Sequence, residues 1–260
     1  MGFERTRVVV TGASSGIGAG LAEAFARRGA RVGLAARRAD RLREVADRCA
    51  AHGAQTHVWT VDVAEPAQVD TLARSVVTDL GGVDILVNNA GVPKRRHVTR
   101  LDATTVDAVM RVNFLGPVQL TLALLPSMLA QGSGHVVNMS SVAAPLSSPG
   151  EAAYDASKAA LATFSEAMAV DLWDTGVRVL TVYPGVVDTD LFTIPDNDPF
   201  TSPVESISVD DMVSAILAAL ERDALEVYAP GYFKELVAAK AADTEAFLAG
   251  AATFVRDQQT

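Results

Sequence analysis

The sequence predicts an α/β fold, in which a parallel β-sheet is flanked by helices on both faces. Short runs rich in Val, Ile and Leu alternate with longer Ala-rich segments of helical period, which is the pattern of strand, crossover helix and parallel strand. The chain has 260 residues, of which 49% are hydrophobic and 20% are charged. A chain of this length and composition buries a full core, so we expect one domain over residues 1–260.

Seven apolar runs are expected to form the strands of one sheet. In chain order they are Arg7 to Thr11, Arg31 to Ala35, Thr56 to Val61, Ile85 to Asn88, His135 to Met139, Arg178 to Val182 and Glu226 to Tyr228. The segments between the strands have helical period. The predicted helices are Ile17 to Arg28, Ala39 to Ala51, Ala67 to Leu80, Thr104 to Ala130, Ala153 to Thr175, Val209 to Arg222 and a C-terminal stretch from Tyr232.

Two segments depart from this alternation. Residues 183–208, here called the substrate loop, contain four prolines and little regular pattern. Loops of this length in compact domains usually act as lids or binding loops, and a disordered excursion is the alternative. Residues 231–260, the C-terminal extension, repeat apolar positions at helical spacing. We expect the extension to be helical and partly buried, against either the pocket or a neighbouring subunit.

Charge and cysteine usage exclude several classes of protein. The net charge is −9, from 22 basic and 31 acidic residues, so we expect no nucleic-acid or membrane partner. Cys49 is the single cysteine and forms no internal disulfide. The N-terminal sequence has no signal-peptide pattern, and a cytoplasmic protein is expected. The four histidines have no partner at metal-ligand spacing, so we expect no metal site.

A glycine-rich turn follows the first strand and opens the first helix, with the sequence Thr11-Gly12-Ala13-Ser14-Ser15-Gly16-Ile17-Gly18. Glycines let the backbone turn sharply and approach a pyrophosphate, whose charge then lies at the helix N-terminus. We therefore expect this turn to bind a dinucleotide, and a purely structural turn is the alternative. The expected contacts are Gly12, Ser14, Ser15, Gly16, Ile17 and Gly18.

From Arg5 to Pro230 the sequence resembles the short-chain dehydrogenase/reductase family. Besides the glycine turn, its motifs stand in the order of that family: Asn88-Asn89-Ala90-Gly91, Asn113, Ser141, Tyr154-x3-Lys158 and Pro184-Gly185. The resemblance implies a single Rossmann-type domain with a doubly wound, seven-stranded parallel sheet. It also implies NAD(P)-dependent oxidoreductase activity and association into a homodimer or homotetramer.

The resemblance implies further cofactor contacts outside the glycine turn. It places Asp62 at the adenine amino group and Val63 beside the adenine. Asp62 has an alternative role as a helix cap, because aspartate is favoured at helix starts. The other implied cofactor contacts are Asn89, Ala90 and Gly91 at the adenine ribose, Thr189 and Val187 at the nicotinamide, Pro184 and Gly185 before them, and Tyr154 and Lys158.

Tyr154 and Lys158 are four residues apart in a predicted helix, so their side chains emerge on one face. A nearby ammonium and a cationic nicotinamide ring would both lower the pKa of the phenol, making Tyr154 an acid/base.

Ser141 ends a strand and is expected to hydrogen-bond a substrate oxygen. Ser140 is its rival, but the family spacing favours Ser141. The resemblance assigns to Asn113 a water that relays protons to Lys158. Ordinary structural roles for these side chains are the alternative.

Pro117 lies four residues after Asn113 and lacks the N–H that would normally bond the Asn113 carbonyl. The sequence therefore predicts a helix kink at this point.

The substrate side of the predicted site is apolar. Small-molecule pockets are mainly hydrophobic, so a ketone or secondary alcohol on a lipophilic frame is expected, although the same residues could be ordinary core. The expected pocket residues are Val142, Leu146, Val186, Leu191 and Phe192. The basic run Lys94, Arg95 and Arg96 either faces an anionic substrate or is a solvated loop, and the solvated loop is favoured.

The end of the second strand, Ala36-Arg37-Arg38, bears on the choice of cofactor. An acidic residue there binds the ribose 2′-hydroxyl of NAD, whereas arginine accommodates the 2′-phosphate of NADP. We expect NADP(H), with Arg37 as the anchor and Arg38 in support, and NAD as the alternative. Arginines that merely decorate the loop are the other interpretation. A charge-assisted contact implies a preference of about 5-fold to 150-fold in affinity.

The sequence thus predicts an enzyme that interconverts a carbonyl and an alcohol by hydride transfer. The alternative is a nucleotide-sensing regulatory protein with the same fold and no turnover. An epimerase or dehydratase typically needs a larger C-terminal substrate domain than 260 residues allow.

The predicted helices Thr104 to Ala130 and Ala153 to Thr175 carry apolar residues on more than one face. We expect them to form the main interface between subunits.

Overall fold

The computed structural model describes residues 3–199 and 204–257, and at its centre is a seven-stranded sheet in which all neighbouring strands are parallel. The strand order β3-β2-β1-β4-β5-β6-β7 has crossovers in both directions from β1, which confirms the predicted fold class. The strands are β1 (Arg7–Thr11), β2 (Arg31–Ala36), β3 (Thr56–Thr60), β4 (Ile85–Asn88), β5 (Gly134–Met139), β6 (Val177–Pro184) and β7 (Glu226–Ala229).

Helices cover both faces of the sheet. They are α1 (Gly16–Ala26), α2 (Ala39–Ala50), α3 (Pro66–Ser75), α4 (Ala103–Met110), α5 (Gly116–Gln131), α6 (Ala143–Leu146), α7 (Ala152–Asp171), α8 (Val209–Glu221), α9 (Phe233–Ala242) and α10 (Thr244–Asp257). The core on one face is formed with α1, α2 and α8, and the core on the other with α3, α5 and α7. The inner strands are thus largely buried on both sides, as near-continuous apolar strands require, whereas the edge strand β3 keeps Val58 and Thr60 exposed.

Most predicted elements lie within two residues of their observed bounds, and the two longest differences have a common cause. The predicted helices Ala67 to Leu80 and Thr104 to Ala130 each include a π-helical turn, at Val76–Leu80 and Arg111–Leu115. In the second turn the Gly116 N–H bonds the Arg111 carbonyl five residues back. This π-helical turn lies directly before Pro117, which has no N–H for the carbonyl of Asn113. The helix continues through both, and the predicted kink stays a prediction.

The helical stretch Ala103–Gln131 is apolar, with a mean hydropathy of 1.4 over its most apolar part. By length and composition alone it would also suit a membrane span, as many core helices do. In this fold its side chains Leu120, Leu124 and Met128 are fully buried in the core over the sheet. Burial against the sheet therefore accounts for this part of its apolar character.

A buried polar network joins the carboxyl ends of β4 and β5 to two helices. Asn88 Nδ2 donates to Thr121 Oγ1 at 2.9 Å and to Asn138 Oδ1 at 2.8 Å. Asn138 Nδ2 in turn donates to Ser165 Oγ at 2.8 Å. All four side chains are buried. Because unpaired polar groups are costly in a core, the network fixes how α5 and α7 sit over the strand ends.

The C-terminal extension packs beside the substrate loop. The ring of Phe233 lies against Gly185, and a Cβ built on that glycine would be 2.4 Å from the ring. Lys240 Nζ donates to the carbonyl of Pro145 at 2.6 Å. Helix α9 therefore supports the segment around α6, whereas α10 contacts α9 and buries none of its residues.

Candidate active site

The predicted site residues converge at the carboxyl ends of the strands, around a cavity of about 580 Å³. This is the edge at which open α/β sheets bind ligands, and the volume is in the usual range for small molecules. The cavity runs from the glycine turn, past the ends of β2 and β4, to α7 and the substrate loop. Every residue predicted for the cofactor or the substrate lines it except Gly18.

The glycine turn is held tightly against the segment that follows β4. Gly12 has a φ of +64°, and a Cβ on it would be 2.8 Å from the Cα of Ala90. Gly18 lies beneath the turn, where a Cβ would be 2.5 Å from the Gly12 carbonyl oxygen. Gly18 therefore permits close packing and does not line the cavity. The turn leaves the N-terminus of α1 open to the cavity at Gly16 and Ile17, which fits a pyrophosphate.

Thr11 and Asn89 lock this junction. Thr11 Oγ1 accepts from the backbone N–H groups of Asn89 at 3.0 Å and Ala90 at 3.1 Å. The side-chain amide of Asn89 donates to the Thr11 carbonyl at 3.0 Å. The side-chain amide of Asn89 thus holds the turn. The cofactor contact predicted for Asn89 would be made by other atoms of this segment.

The two arginines after β2 have different partners. Arg38 donates through Nη2 to Ser14 Oγ at 2.9 Å and to Ser15 Oγ at 2.7 Å. The Arg37 side chain is 64% exposed and lies 3.8 Å from the Asp62 carboxylate. The guanidinium of Arg38 therefore rests directly on the glycine turn, whereas Arg37 faces outward at the rim. The sequence predicts Arg37 as the anchor and Arg38 as its support. In the structure, Arg38 is the arginine whose side chain is held at the turn by hydrogen bonds.

Asp62 lies at the cavity and not at the start of a helix. Its Oδ1 accepts from the Ala64 N–H at 3.0 Å, and helix α3 begins later, at Pro66 after Glu65. The helix-cap alternative is therefore wrong. Val63 lines the cavity beside Asp62, as the adenine contact predicted for it requires.

Lys158 is the most buried charged group of the site. Its Nζ donates to the Met139 carbonyl at 2.7 Å and lies 5.7 Å from the centre of the Tyr154 ring. Burial lowers the pKa of this ammonium to about 8. Gly91 lies beside it, and a Cβ there would be in ordinary contact with Nζ at 3.4 Å.

The pKa of Tyr154 lies well above its ordinary value of 10. Burial is the largest cause, and the charges of Glu151 and Asp155 add to it. A hydrogen bond with Ser141 and the charge of Arg95 act in the opposite direction. From the sequence we expect a lowered pKa for Tyr154, because a nearby ammonium and a cationic ring both stabilise the phenolate. In the structure the loss of hydration on burial raises the pKa instead.

The two serines after β5 have separate tasks. Ser140 Oγ donates to the Lys158 carbonyl at 2.9 Å, which ties β5 to α7. Ser141 hydrogen-bonds Tyr154, and its Oγ also accepts from the Ala143 N–H at 3.1 Å. Ser141 is therefore the serine beside the tyrosine hydroxyl.

Asn113 is fully buried and does not line the cavity. Its Oδ1 accepts from the Val92 N–H at 2.8 Å, and its Nδ2 donates to the Val92 carbonyl and to Ser157 Oγ, both at 3.0 Å. Both ends of the amide thus have protein partners. If Asn113 holds a relay water, its backbone carbonyl is the group left to do so.

The substrate side also contains polar residues: Ser148 and Glu151, which the sequence analysis did not assign, and Arg95, for which it favoured a solvated loop over a place facing the substrate. Arg95, Ser148 and Glu151 line the cavity among the predicted apolar residues. Glu151 stands three residues before Tyr154, a spacing that could have indicated a shared helix face. The interpretation of Lys94 to Arg96 as a solvated loop is wrong, since Lys94 and Arg95 are 9% and 5% exposed.

Within residues 3–199 and 204–257, no group of three or more His, Cys, Asp and Glu side chains is arranged to hold a metal ion.

Comparison with known proteins gives a consistent result. A family model described as short chain dehydrogenase matches residues 6–198. A protein of Myxococcus xanthus named an uncharacterized oxidoreductase is 40% identical over 198 residues, which are 76% of this chain and 78% of that protein.

Two solved structures share the fold over nearly their whole length. A short-chain dehydrogenase from Sphingobium yanoikuyae in complex with NADPH is 29% identical, with a TM-score of 0.83 over 94% of this chain and 95% of that one. A short-chain dehydrogenase/reductase from Burkholderia phymatum in complex with NAD is 27% identical. Its TM-score is 0.85 over 94% of this chain and 96% of that one.

Asp155 follows Tyr154 and is buried without a full set of partners. Its Oδ1 has no hydrogen-bond partner within the described ranges 3–199 and 204–257. Burial raises the pKa of this carboxyl to about 8, and the charge of Glu151 adds to the shift. The folded protein therefore binds a proton here that the unfolded chain releases near pH 4.

We predict that Asp155→Asn stabilises the protein at neutral pH. Because the folded state holds more protons than the unfolded state, the wild type loses stability as pH rises from about 4 to about 8. The amide avoids this loss, so the variant should be more stable by about 1 to 4 kcal/mol at pH 7 and nearly equal at pH 4. Urea unfolding at both pH values measures the difference. The control Asp174→Asn, at an exposed position beyond α7, should follow the wild-type curve.

Proposed function

Because the chain belongs to the short-chain dehydrogenase/reductase family and is an oxidoreductase, we propose that it interconverts a ketone or aldehyde and an alcohol with NADP(H). One observation carries the proposal. Tyr154, Ser141 and Lys158 meet at the wall of the same cavity that the glycine turn opens into. An acid/base, a hydroxyl for the substrate oxygen and an ammonium are the groups that such a reaction requires of the protein.

Tyr154 moves the proton in this proposal. When bound, the nicotinamide supplies or accepts the hydride. The raised pKa of Tyr154 keeps the phenol protonated at neutral pH, so it is ready to donate to the oxygen of a carbonyl that is being reduced. Ser141, which hydrogen-bonds the same phenol, orients that oxygen. The protein groups alone therefore hold Tyr154 in the protonated form that carbonyl reduction requires.

Lys158 has two tasks in the proposed reaction. Its ammonium, held by the Met139 carbonyl, lies at the ring of Tyr154 and stabilises the phenolate left after proton donation. It is also placed to bind the hydroxyls of the nicotinamide ribose, as family resemblance implies. Lys158 would then pass a proton back to the phenolate, and a water held by the backbone carbonyl of Asn113 would in turn resupply Lys158 with a proton.

The cofactor proposal rests on the guanidinium groups at the end of β2. Arg38 already bonds the hydroxyls of Ser14 and Ser15, so a 2′-phosphate there would meet two serines and one fixed fork of donors. Arg37 would contact the same phosphate from the rim of the cavity. No acidic residue occupies residues 31–38 to bind a free 2′-hydroxyl. The chain therefore suits NADP(H) better than NAD(H).

We propose that the substrate is a largely apolar small molecule. Most of the substrate side is formed by Val142, Leu146, Val186, Leu191 and Phe192. A carbonyl on a lipophilic frame satisfies such walls and leaves its oxygen for Ser141 and Tyr154.

Replacing Tyr154 by Phe should remove turnover. The phenol hydroxyl is the proposed proton donor, and general acid/base catalysis alone is worth about 10² to 10⁴ in rate. We expect kcat for ketone reduction to fall at least that far, while NADPH affinity stays within a few fold. Turnover is followed by NADPH oxidation and affinity by fluorescence titration. Tyr183→Phe, in a buried ring pair outside the cavity, is the control and should keep its activity. Near-wild-type turnover in the Tyr154 variant would contradict the proposal.

Arginine substitutions test the cofactor preference. Arg37→Ala and Arg38→Ala should each reduce kcat/KM with NADPH by about 5-fold to 150-fold, because each removes a charge-assisted contact to the 2′-phosphate. Values with NADH should change little, and Arg37→Asp should reverse the preference. Arg41→Ala, in the neighbouring helix and paired with Glu44, is the matched control. Equal use of both cofactors by the wild type would refute the assignment.

We further propose that the chain forms a homodimer or homotetramer through α5 and α7. Leu115, Leu122 and Leu129 recur every seven residues and remain 40% to 53% exposed, while Trp173 beyond α7 is 67% exposed. Such an apolar stripe on a core helix favours burial against a second copy.

Light scattering should therefore give a mass above 27.2 kDa at micromolar concentration, and Leu122→Asp should reduce it to the monomer. Leu236→Asp, on the similarly exposed side of α9, should leave the mass unchanged. A wild-type protein of 27.2 kDa would overturn this proposal.

A further inference from the structure

Four basic residues after β4 face the substrate loop across a narrow junction. Lys94, Arg95, Arg96 and Arg100 are here called the basic segment, and their partners are residues 192–198 of the loop. The two segments are about one hundred residues apart in the chain. The basic segment therefore determines where the middle of the loop lies.

Asp196 is held by two cations at once. Lys94 Nζ donates to its carboxylate at 2.7 Å and to its backbone carbonyl at 2.9 Å. Arg96 forms a short ion pair with the other carboxylate oxygen. Asp198, two residues later, forms an ion pair with Arg100. Exposed pairs contribute little one by one, but these bind one short loop segment at several points.

Arg95 makes the buried part of the junction. Its Nη2 donates to the Phe192 carbonyl at 2.9 Å, and its Nε donates to the Asp198 carbonyl at 3.1 Å. Its guanidinium also lies 5.9 Å from the centre of the Phe192 ring. On the backbone, Arg95 N–H donates to Asn197 Oδ1 and the Arg95 carbonyl accepts from the Asp198 N–H, both at 2.8 Å.

The same segment also contacts the loop that precedes α7. The Arg96 N–H donates to the Gly150 carbonyl at 2.7 Å, one residue before Glu151. Arg95, Glu151 and Phe192 all line the cavity, next to Tyr154. The basic segment thus fixes the substrate loop relative to the helix that carries the reacting tyrosine.

We propose that the basic segment is a fixed seat for the substrate loop, and that Arg95 is the positioning residue that sets the substrate wall by holding Phe192. The inference rests on the proposed function for its catalytic consequence. An arginine that forks between two backbone carbonyls fixes their separation, which lysine cannot do with a single point of charge. The wall formed by Phe192 therefore limits the size of the ketone that reaches Tyr154.

Hydrogen exchange measures the seat without any substrate. In Arg95→Ala, the backbone amides of residues 190–198 should exchange at least tenfold faster than in the wild type, because the loop loses two buried anchors. Asp196→Asn is the milder variant. It removes two ion pairs from an exposed residue whose φ of +61° suits asparagine, so the protein should fold normally. Its loop amides should also exchange faster, by a smaller factor.

Substrate size provides the second measurement. The ratio of kcat/KM for benzophenone to that for butanone should rise at least tenfold in Arg95→Ala and should be intermediate in Arg95→Lys. A general loss of folded enzyme lowers both rates equally and leaves the ratio unchanged. Arg7→Ala is the matched control, because Arg7 also bonds a carboxylate and a backbone carbonyl, but at the opposite end of the sheet.

Loop exchange within twofold of the wild type in both Arg95→Ala and Asp196→Asn would overturn the seat. Faster exchange with an unchanged size ratio would overturn the role of Arg95 in setting the wall. If the wild type reduces neither ketone nor any other carbonyl compound, the proposed function fails, and the exchange rates still decide whether the seat exists.

Discussion

The buried ammonium of Lys158 is the group on which the arrangement of the site depends. A cation taken out of water must be hydrogen-bonded, and here the carbonyl at the end of β5 accepts its bond. That bond fixes α7 against the strand, with help from Ser140, and so fixes Tyr154 one turn earlier on the same helix face. The ammonium also lies close to Gly91, in the segment after β4. The ends of two strands, β4 and β5, and one helix thus meet around a single charge.

The electrostatics of the protein groups at the site favour proton donation by Tyr154. Burial makes both the phenolate of Tyr154 and the ammonium of Lys158 less stable than in water. The charge of Glu151 further opposes a phenolate, whereas Ser141 and Arg95 favour it. The phenol of Tyr154 is therefore neutral and able to donate a proton, with the weakly acidic ammonium of Lys158 beside it. Oxidation of an alcohol would need an additional positive charge at the phenol, which the oxidised nicotinamide ring would supply.

The sequence predicts best what depends on local pattern. Apolar runs predicted the seven strands, and the missing N–H of Pro117 marked the part of the long helix that contains the π-helical turn. The glycine spacing indicated which residues line the turn, although Gly18 shows that a glycine can serve packing alone. These features follow from backbone geometry and burial, which act over a few residues.

Side-chain partners across the fold could not be predicted in the same way. Whether Arg37 or Arg38 rests on the glycine turn depends on the exact direction in which β2 ends, and adjacent residues point to opposite sides there. The partners of Lys94 and Arg95 lie about one hundred residues away, in a loop with no periodic pattern. A run of like charges is usually solvated, so the pattern favoured the wrong interpretation.

The junction between the basic segment and the substrate loop has a further consequence for an acidic protein. With a net charge of −9, the molecule as a whole repels an anionic dinucleotide. Lys94, Arg96 and Arg100 are already paired with loop carboxylates, so they contribute little field toward the cavity. We therefore expect attraction for the cofactor phosphates to come from short-range groups at the other end, namely the open N-terminus of α1 and the guanidinium groups of Arg37 and Arg38. Because these act only at contact distance, cofactor affinity in this chain depends on the geometry of the turn more than on its overall charge.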